Sequence, residues 1–248
     1  MRYLILSDLH GNWDALAAVL RRVRRKRFDA TLVLGDLVGY GAAPNQVIEA
    51  IRRLSGPVWI VRGNHDKVVA GLESGETFNA AALAAAHWTA NRLTAANRRF
   101  LRELPEGPLG IDERVAICHG SPLDEDQYLL SSLDALEIFT YFTGPQVVFF
   151  GHTHLPSILA HGPEGLEVAL LTGASGVIRL RPGWRYLLNP GAVGQPRDRN
   201  PLAAYMIYEG DAGLVRWFRI PYPVERAQER IRRAGLPASL ADRLAVGA

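Results

Sequence analysis

Tyr3-Leu4-Ile5-Leu6-Ser7-Asp8-Leu9-His10-Gly11-Asn12 puts an apolar run directly ahead of a cluster of polar, turn-forming residues. The run predicts a strand over Arg2–Leu6, so the polar cluster sits at that strand's C-terminal end. Successive strand residues point to opposite faces, and Asp8 and His10, at i and i+2, can therefore aim at one point. A carboxylate and an imidazole placed this way form half of a metal site. The same residue types also compose an ordinary polar turn, and the stretches that follow discriminate between the two readings.

Working outward, strands and helices alternate through the first two-thirds of the chain, which predicts an α/β core. A helix from Trp13 to Arg25, capped by Asn12, leads to a strand over Ala30–Leu34 that ends in Gly35-Asp36. A helix over Pro44–Leu54 with proline in its first turn leads to a strand over Pro57–Val61 that ends in Gly63-Asn64-His65-Asp66. Strands over Arg114–Cys118 and Val147–Phe150 end in His119-Gly120 and Gly151-His152-Thr153-His154, with a helix over Ser132–Phe142 between them. The candidate metal ligands are thus Asp8, His10, Asp36, Asn64, His119, His152 and His154, each just past a predicted strand. Five of the chain's seven histidines fall in these loops, a clustering that random placement does not produce.

The rest of the chain reads as follows. Helices over Asn79–Leu93 and Thr94–Leu101 form an insertion, about residues 67–104, expected to sit over the sheet edge as a lid or an interaction surface. Within it, His87 and Trp88 read as a packed aromatic cluster or as a substrate contact. Short strands after residue 157 suggest a largely antiparallel sheet closing the core. Residues 1–222 are read as a single domain, and 223–248 as a C-terminal helix, Val224–Arg233, followed by a loosely held tail.

Composition narrows the class. A chain of 248 residues with 48% hydrophobic and 21% charged residues is an ordinary globule. No apolar stretch approaches the roughly 20 residues needed to span a bilayer. A strand bearing a candidate ligand begins at residue 2, which leaves no room for a signal peptide. The single cysteine, Cys118, rules out an internal disulfide and makes a cytoplasmic setting the expectation. Cys118 precedes a candidate ligand on a strand, so its side chain turns the other way, into the core. The net charge of +3 is mild and comes almost wholly from arginine, with lysine only at Lys26 and Lys67. The run Arg21-Arg22 and Arg24-Arg25-Lys26-Arg27 reads first as the solvated, dipole-complementing end of a helix and second as a nucleic-acid stripe.

In order, the motifs Asp-x-His, Gly-Asp, Gly-Asn-His-Asp, His and Gly-His-x-His span residues 8 to 154, and with them the chain resembles the calcineurin-like metallophosphoesterases. Asn189-Pro190-Gly191-Ala192-Val193-Gly194-Gln195-Pro196-Arg197 further resembles the bacterial small phosphodiesterase branch. The resemblance implies a four-layer αββα sandwich of two mixed β-sheets and a dinuclear metal centre. Asp8, His10 and His154 would hold one ion, Asn64, His119 and His152 the other, and Asp36 would bridge them. Imidazole and carboxylate donors without thiolate suit Mn²⁺, Fe, Zn²⁺, Co²⁺ or Ni²⁺. A shared hydroxide would attack phosphorus, and His65, titrating near neutrality, would donate a proton to the leaving oxygen.

Two departures bear on substrate. Family members that cleave phosphoproteins or symmetrical dinucleoside tetraphosphates continue the Gly-Asp motif with an aspartate and an arginine. Gly39 and Tyr40 stand at those positions here, which disfavours both substrates. Tyr40 could cover the metal pocket and stack on a base or aryl group, or simply face solvent. Arg197 or Arg199 could grip the second ester oxygen, and Asp66 or a backbone carbonyl could orient His65. The expected activity is a phosphodiesterase acting on a small phosphate ester or nucleotide. A phosphomonoesterase on the same site is the alternative enzyme, and a metal-binding scaffold the alternative class. Nucleic acid as partner rests on the arginine runs alone, no membrane partner is expected, and the oligomeric state is open.

Overall fold

The computed structural model describes residues 1–248. Its first strand shows how the layers arise. In β1 (Arg2–Leu6), Tyr3 and Ile5 face a second sheet across an apolar core, while Leu4 and Leu6 face helices on the other side. Both faces of the strand are buried, so its apolar residues run on without polar alternation.

Helix α1 (Trp13–Val23) leads to β2 (Ala30–Val33), and α2 (Pro44–Arg52) leads to β3 (Val58–Ile60). Both strands extend the sheet in parallel with β1, in a register that sets Leu4 opposite Thr31 and Leu32 opposite Trp59. Three more helices follow, α3 (Asn64–Ala70), α4 (Ala80–Arg92) and α5 (Ala95–Arg102), before β4 (Leu109–Gly110) and β5 (Val115–Ile117) open the second sheet. After α6 (Ser132–Tyr141), β6 (Val147–Phe149) pairs in parallel with β5.

The remaining strands pair largely antiparallel, as expected from their sequence, but they divide between the two sheets rather than closing the core as one. β7 (Ser157–Gly162), β8 (Gly165–Leu170) and β10 (Arg185–Asn189) complete the second sheet in the order β4-β5-β6-β10-β7-β8. β9 (Ser175–Arg179), β11 (Ala203–Glu209) and β12 (Leu214–Ile220) complete the first in the order β3-β2-β1-β11-β12-β9. The result is the expected four-layer αββα sandwich of two mixed sheets. Tyr3, Ile5, Leu32, Ile117, Phe149, Tyr186 and Met206 meet between the sheets, and α6 covers the outer face of the second through Ala135, Ile138 and Phe139. Cys118 belongs to that outer core, turned away from the sheet edge where the candidate ligands lie.

Three further differences from the sequence reading concern helices. Seven-residue α3, which opens on Asn64 and His65, is too short for an apolar periodicity to announce it. The insertion packs into the core through Ala82, Ala85, Ala86 and Leu101 while Phe78 and Asn79 near its start line a cavity at the sheet edge, and His87 faces solvent, clear of any aromatic cluster. The tail after α7 (Val224–Arg233) is not loose: α8 (Ala238–Val246) buries Leu240, Ala241 and Leu244, and Arg226 and Arg230 of α7 pair with the buried Asp14 of α1. The exposed arginines 21 to 27 cluster at and just past the end of α1, as a solvated helix terminus does. No helix is long and apolar enough to cross a membrane.

Candidate metal centre

β1, β2 and β3 run parallel in one sheet, and β5, β6 and β10 run parallel in the other. The loops that follow the C-terminal ends of β1, β2, β3, β5 and β6 bring all seven candidate ligands together. The chain must reverse sharply there, and Asp8, His10, Asp36, His152 and His154 all adopt left-handed backbone, with φ of 52°, 45°, 52°, 64° and 59°. That conformation costs on the order of 1 kcal/mol or more for a residue with a Cβ and persists only where the surroundings impose it. Glycines allow the close approach. A Cβ on Gly35 would fall 2.8 Å from His119 Nδ1, one on Gly151 2.9 Å from Asp8 Oδ2, and one on Gly63 against Asp36 Oδ1.

The side chains form two groups that share one residue. Asp8, His10, Asp36 and His154 make the first, and Asp36, His119 and His152 the second, all buried, with donor atoms within 4.8 Å of one another in each. Oδ2 of Asp36 lies 3.5 Å from His10 Nε2 and 3.5 Å from His119 Nε2, midway between the groups. Asn64 joins the second group, its Oδ1 3.3 Å from His119 Nε2.

Backbone carbonyls set which ring nitrogen faces inward. His10 Nδ1 donates to Val38 O at 3.1 Å, His119 Nδ1 to Leu34 O at 2.7 Å, His154 Nδ1 to Gln195 O at 2.5 Å and His152 Nε2 to Asp126 O at 3.1 Å. Each donation leaves the other nitrogen a bare lone pair aimed at the centre. Two such pairs then face each other, His10 Nε2 with His154 Nε2 and His119 Nε2 with His152 Nδ1, each at 3.1 Å. Lone pair against lone pair is repulsive without a cation between them. Nitrogens 3.1 Å apart suit one ion at about 2.0–2.1 Å from each, subtending roughly 95–100°. Asp8 Oδ1 is buried without any hydrogen-bond partner, although Ser7 Oγ donates to Oδ2 at 2.6 Å. The donor set therefore fits two divalent ions sharing Asp36.

Electrostatics agree. Burial lowers the basicity of His10, His154 and His152, the last to about 2, so the rings are neutral as metal donors must be. Burial, with Asp66 and Asp8 nearby, pushes Asp36 well above the usual carboxylate range, a penalty that a bound cation removes.

His65 stands apart from the donors. Its ring lies between Tyr40 and Phe78, with centroids 4.4 Å away on each side, and its buried Nδ1 has no partner. Burial, then His154 and Arg197, push its pKa well below the usual imidazole value, so the near-neutral titration expected from sequence does not describe the free protein. Asp66 does not orient it. The Asp66 carboxylate instead accepts from the backbone N–H groups of Leu37, Val38 and Gly63, tying the Asp36 loop to the start of α3.

A cavity of about 270 Å³ opens over the centre, lined in part by Asn64, His65, Phe78, Tyr128, His152 and Arg197. Arg197 Nη2 donates to the Tyr40 hydroxyl at 3.2 Å, whereas Arg199 is exposed and does not line this cavity. Tyr40 covers the pocket floor, 6% exposed and packed on His10 and His65. Its faces are thus occupied, and the more accessible ring is Tyr128, 46% exposed and packed on His152 with centroids 3.8 Å apart and planes tilted by 32°.

A family model described as calcineurin-like phosphoesterase matches residues 1–156. The chain belongs to this family. An uncharacterised protein of Methanocaldococcus jannaschii is 35% identical over 98% of this chain and 97% of its own. A metallophosphoesterase from Sphaerobacter thermophilus, solved by crystallography, is 38% identical and superposes with a TM-score of 0.87 over 100% of this chain and 99% of that one. A symmetrical bis(5'-nucleosyl)-tetraphosphatase of Baumannia cicadellinicola is 42% identical, but over only 27% of this chain and 23% of its own. As a calcineurin-like phosphoesterase, the protein is a phosphoester hydrolase of a family that depends on two metal ions, and the buried His/Asp cluster is in keeping with that. Sequence reasoning missed Phe78, Tyr128 and the carbonyls of Leu34, Val38, Asp126 and Gln195. The aromatics carry no local motif, and a main-chain oxygen has no residue signature at all.

Proposed function

We propose that this calcineurin-like phosphoesterase is a phosphodiesterase, with Asp8, His10 and His154 holding one ion, Asn64, His119 and His152 the other, and Asp36 shared. The observation that carries the reading is the single oxygen of Asp36 set 3.5 Å from an inward nitrogen of each group. When bound, the two ions supply Lewis-acid activation of the attacking water and offset charge on the phosphoryl oxygens. Mn²⁺, Fe, Zn²⁺, Co²⁺ and Ni²⁺ suit the nitrogen and carboxylate donors.

The protein's own groups do the rest. Arg197, held by Tyr40 and Gln195, reaches a non-bridging oxygen of the phosphate. His65 donates its N–H to the leaving ester oxygen; an anion arriving beside the ring raises its basicity toward neutrality. The walls favour a diester over a monoester. One guanidinium matches the single charge of a diester, and Phe78 and Tyr128 offer apolar surface to the second ester group. With Gly39 and Tyr40 in place of an acidic residue and an arginine, the Asp36 loop lacks a second phosphate grip, so a symmetrical tetraphosphate is not the proposed substrate. The setting is taken to be the cytoplasm.

Metal-stripped protein reconstituted with Mn²⁺ should hydrolyse bis-(p-nitrophenyl) phosphate well ahead of p-nitrophenyl phosphate. His65→Ala should keep both ions and lose roughly 100-fold or more in kcat. Monoester turnover alone would make the protein a phosphomonoesterase, and silence on both esters with two ions bound would make it a scaffold. Unchanged turnover in His65→Ala would remove that residue from the mechanism.

A further inference from the structure

Lys67, one of two lysines in the chain, lies on α3 two residues past His65. Its side chain is only 2% exposed, yet the ammonium is ringed by carboxylates: Asp126 Oδ2 at 2.6 Å, Glu73 Oε1 at 2.8 Å and Glu125 Oε1 at 3.0 Å. The three acids are close enough together to hold a metal ion, but the lysine already supplies the cation. Arg62, just past β3, grips the same loop, its Nε donating to Glu125 Oε2 at 2.9 Å and its Nη2 to Glu125 Oε1 at 2.8 Å. Residues 125–126 are thereby fastened to the segment that carries Asn64 and His65.

The fastening reaches the metal centre through one atom. The main-chain oxygen of Asp126 is the acceptor for His152 Nε2 at 3.1 Å, and that bond leaves His152 Nδ1 bare, 3.1 Å from His119 Nε2. Two residues on, the Tyr128 ring packs against the same imidazole. The other cluster has no such dependence. His10 and His154 are oriented by the carbonyls of Val38 and Gln195, on different loops.

We propose that Lys67 is a positioning residue: by holding Asp126 against α3 it fixes the tautomer and direction of His152, and so the affinity of one of the two metal sites. The assignment rests on the dinuclear reading above. Burying an ammonium is unfavourable unless acceptors surround it. Burial alone would lower the Lys67 pKa, but the bonds to Asp126, Glu73 and Glu125 outweigh it and hold the group charged. Without the lysine, three carboxylates within 4.8 Å repel one another, and the loop moves away from His152.

The test is calorimetric titration of metal-stripped protein with Mn²⁺. Wild type should take up two ions. Lys67→Met, which keeps the aliphatic stem, should bind one ion with unchanged affinity and the other about 10- to 100-fold more weakly, the usual effect of losing a group that orients a metal ligand. Asp126→Asn, which keeps the carbonyl and removes the ion pair, should show the same selective loss and serves if Lys67→Met does not fold. Lys67→Arg, which retains the charge, should recover much of the lost affinity. Two unchanged sites in Lys67→Met and Asp126→Asn, or two sites weakened equally, would overturn the assignment. Fewer than two ions in the wild type would instead overturn the dinuclear reading.

Discussion

Gly39→Ala perturbs His65 through a single added carbon. Gly39 has φ of +94°, and a Cβ built there falls 2.8 Å from His65 Cγ, 3.1 Å from its Cβ and closer still to Nδ1, whereas ordinary contact begins near 3.4 Å. The ring cannot slide freely, because Tyr40 and Phe78 flank it at centroid distances of 4.4 Å. Relieving the contact at Cγ alone requires a shift of roughly 0.6 Å, and a misplacement of about 1 Å at a reacting group can cost about 100-fold in rate. The variant should therefore lose roughly 10- to 100-fold in kcat for the diester, with KM less affected, and should still bind two ions. Left-handed backbone adds a stability loss of about 1–2 kcal/mol, readable by urea denaturation. A second arm isolates the cause. In a His65→Ala background no ring is left to displace, so Gly39→Ala should cost stability but almost no further turnover, and the two substitutions should be strongly non-additive. Wild-type kcat in Gly39→Ala, or additive losses in the double variant, would refute the reasoning.

Two other outcomes are expected. Asp66→Ala strands three buried backbone donors, on Leu37, Val38 and Gly63, at about 1–3 kcal/mol each; urea denaturation of the chelated protein should show a loss of about 3 kcal/mol or more, and a loss below about 1 kcal/mol would mean the clamp is dispensable. Burial pushes the Tyr222 phenol from 10.0 to about 12, against an opposing bond from Asn12. The folded state therefore keeps the proton longer than the unfolded chain, so this contribution, about 2–3 kcal/mol, is intact below pH 10 and drains away as pH rises to about 12. Alkaline unfolding of Tyr222→Phe should lack that slope, and a parallel profile in the two proteins would contradict it.

Local pattern carried much of the fold. Arg2–Leu6, Trp13–Val23 and Val224–Arg233 lie where periodicity places them, because apolar spacing, an asparagine cap and terminal arginines all act within a few residues. The seven candidate ligands were legible for a related reason: each directly follows an apolar strand, and strand ends in a parallel sheet share an edge. β10 was not legible, since Arg185-Tyr-Leu-Leu-Asn becomes a strand by pairing with β6 and β7, which are distant in sequence.

Residue order alone determined the metal donors on offer and the α/β core, because donor type and strand-loop spacing are properties of short segments, and the αββα class followed from the family resemblance that the ordered motifs carry. Tertiary structure decided the rest. It put Arg197 but not Arg199 in the cavity lining, brought Tyr128 there beside Tyr40, buried α8, and assigned each histidine's inward nitrogen through the carbonyls of Val38, Leu34, Asp126 and Gln195. Those choices depend on which backbone atoms and rings meet across the sheet edge, and every residue has the same carbonyl, so no pattern of side chains can announce them.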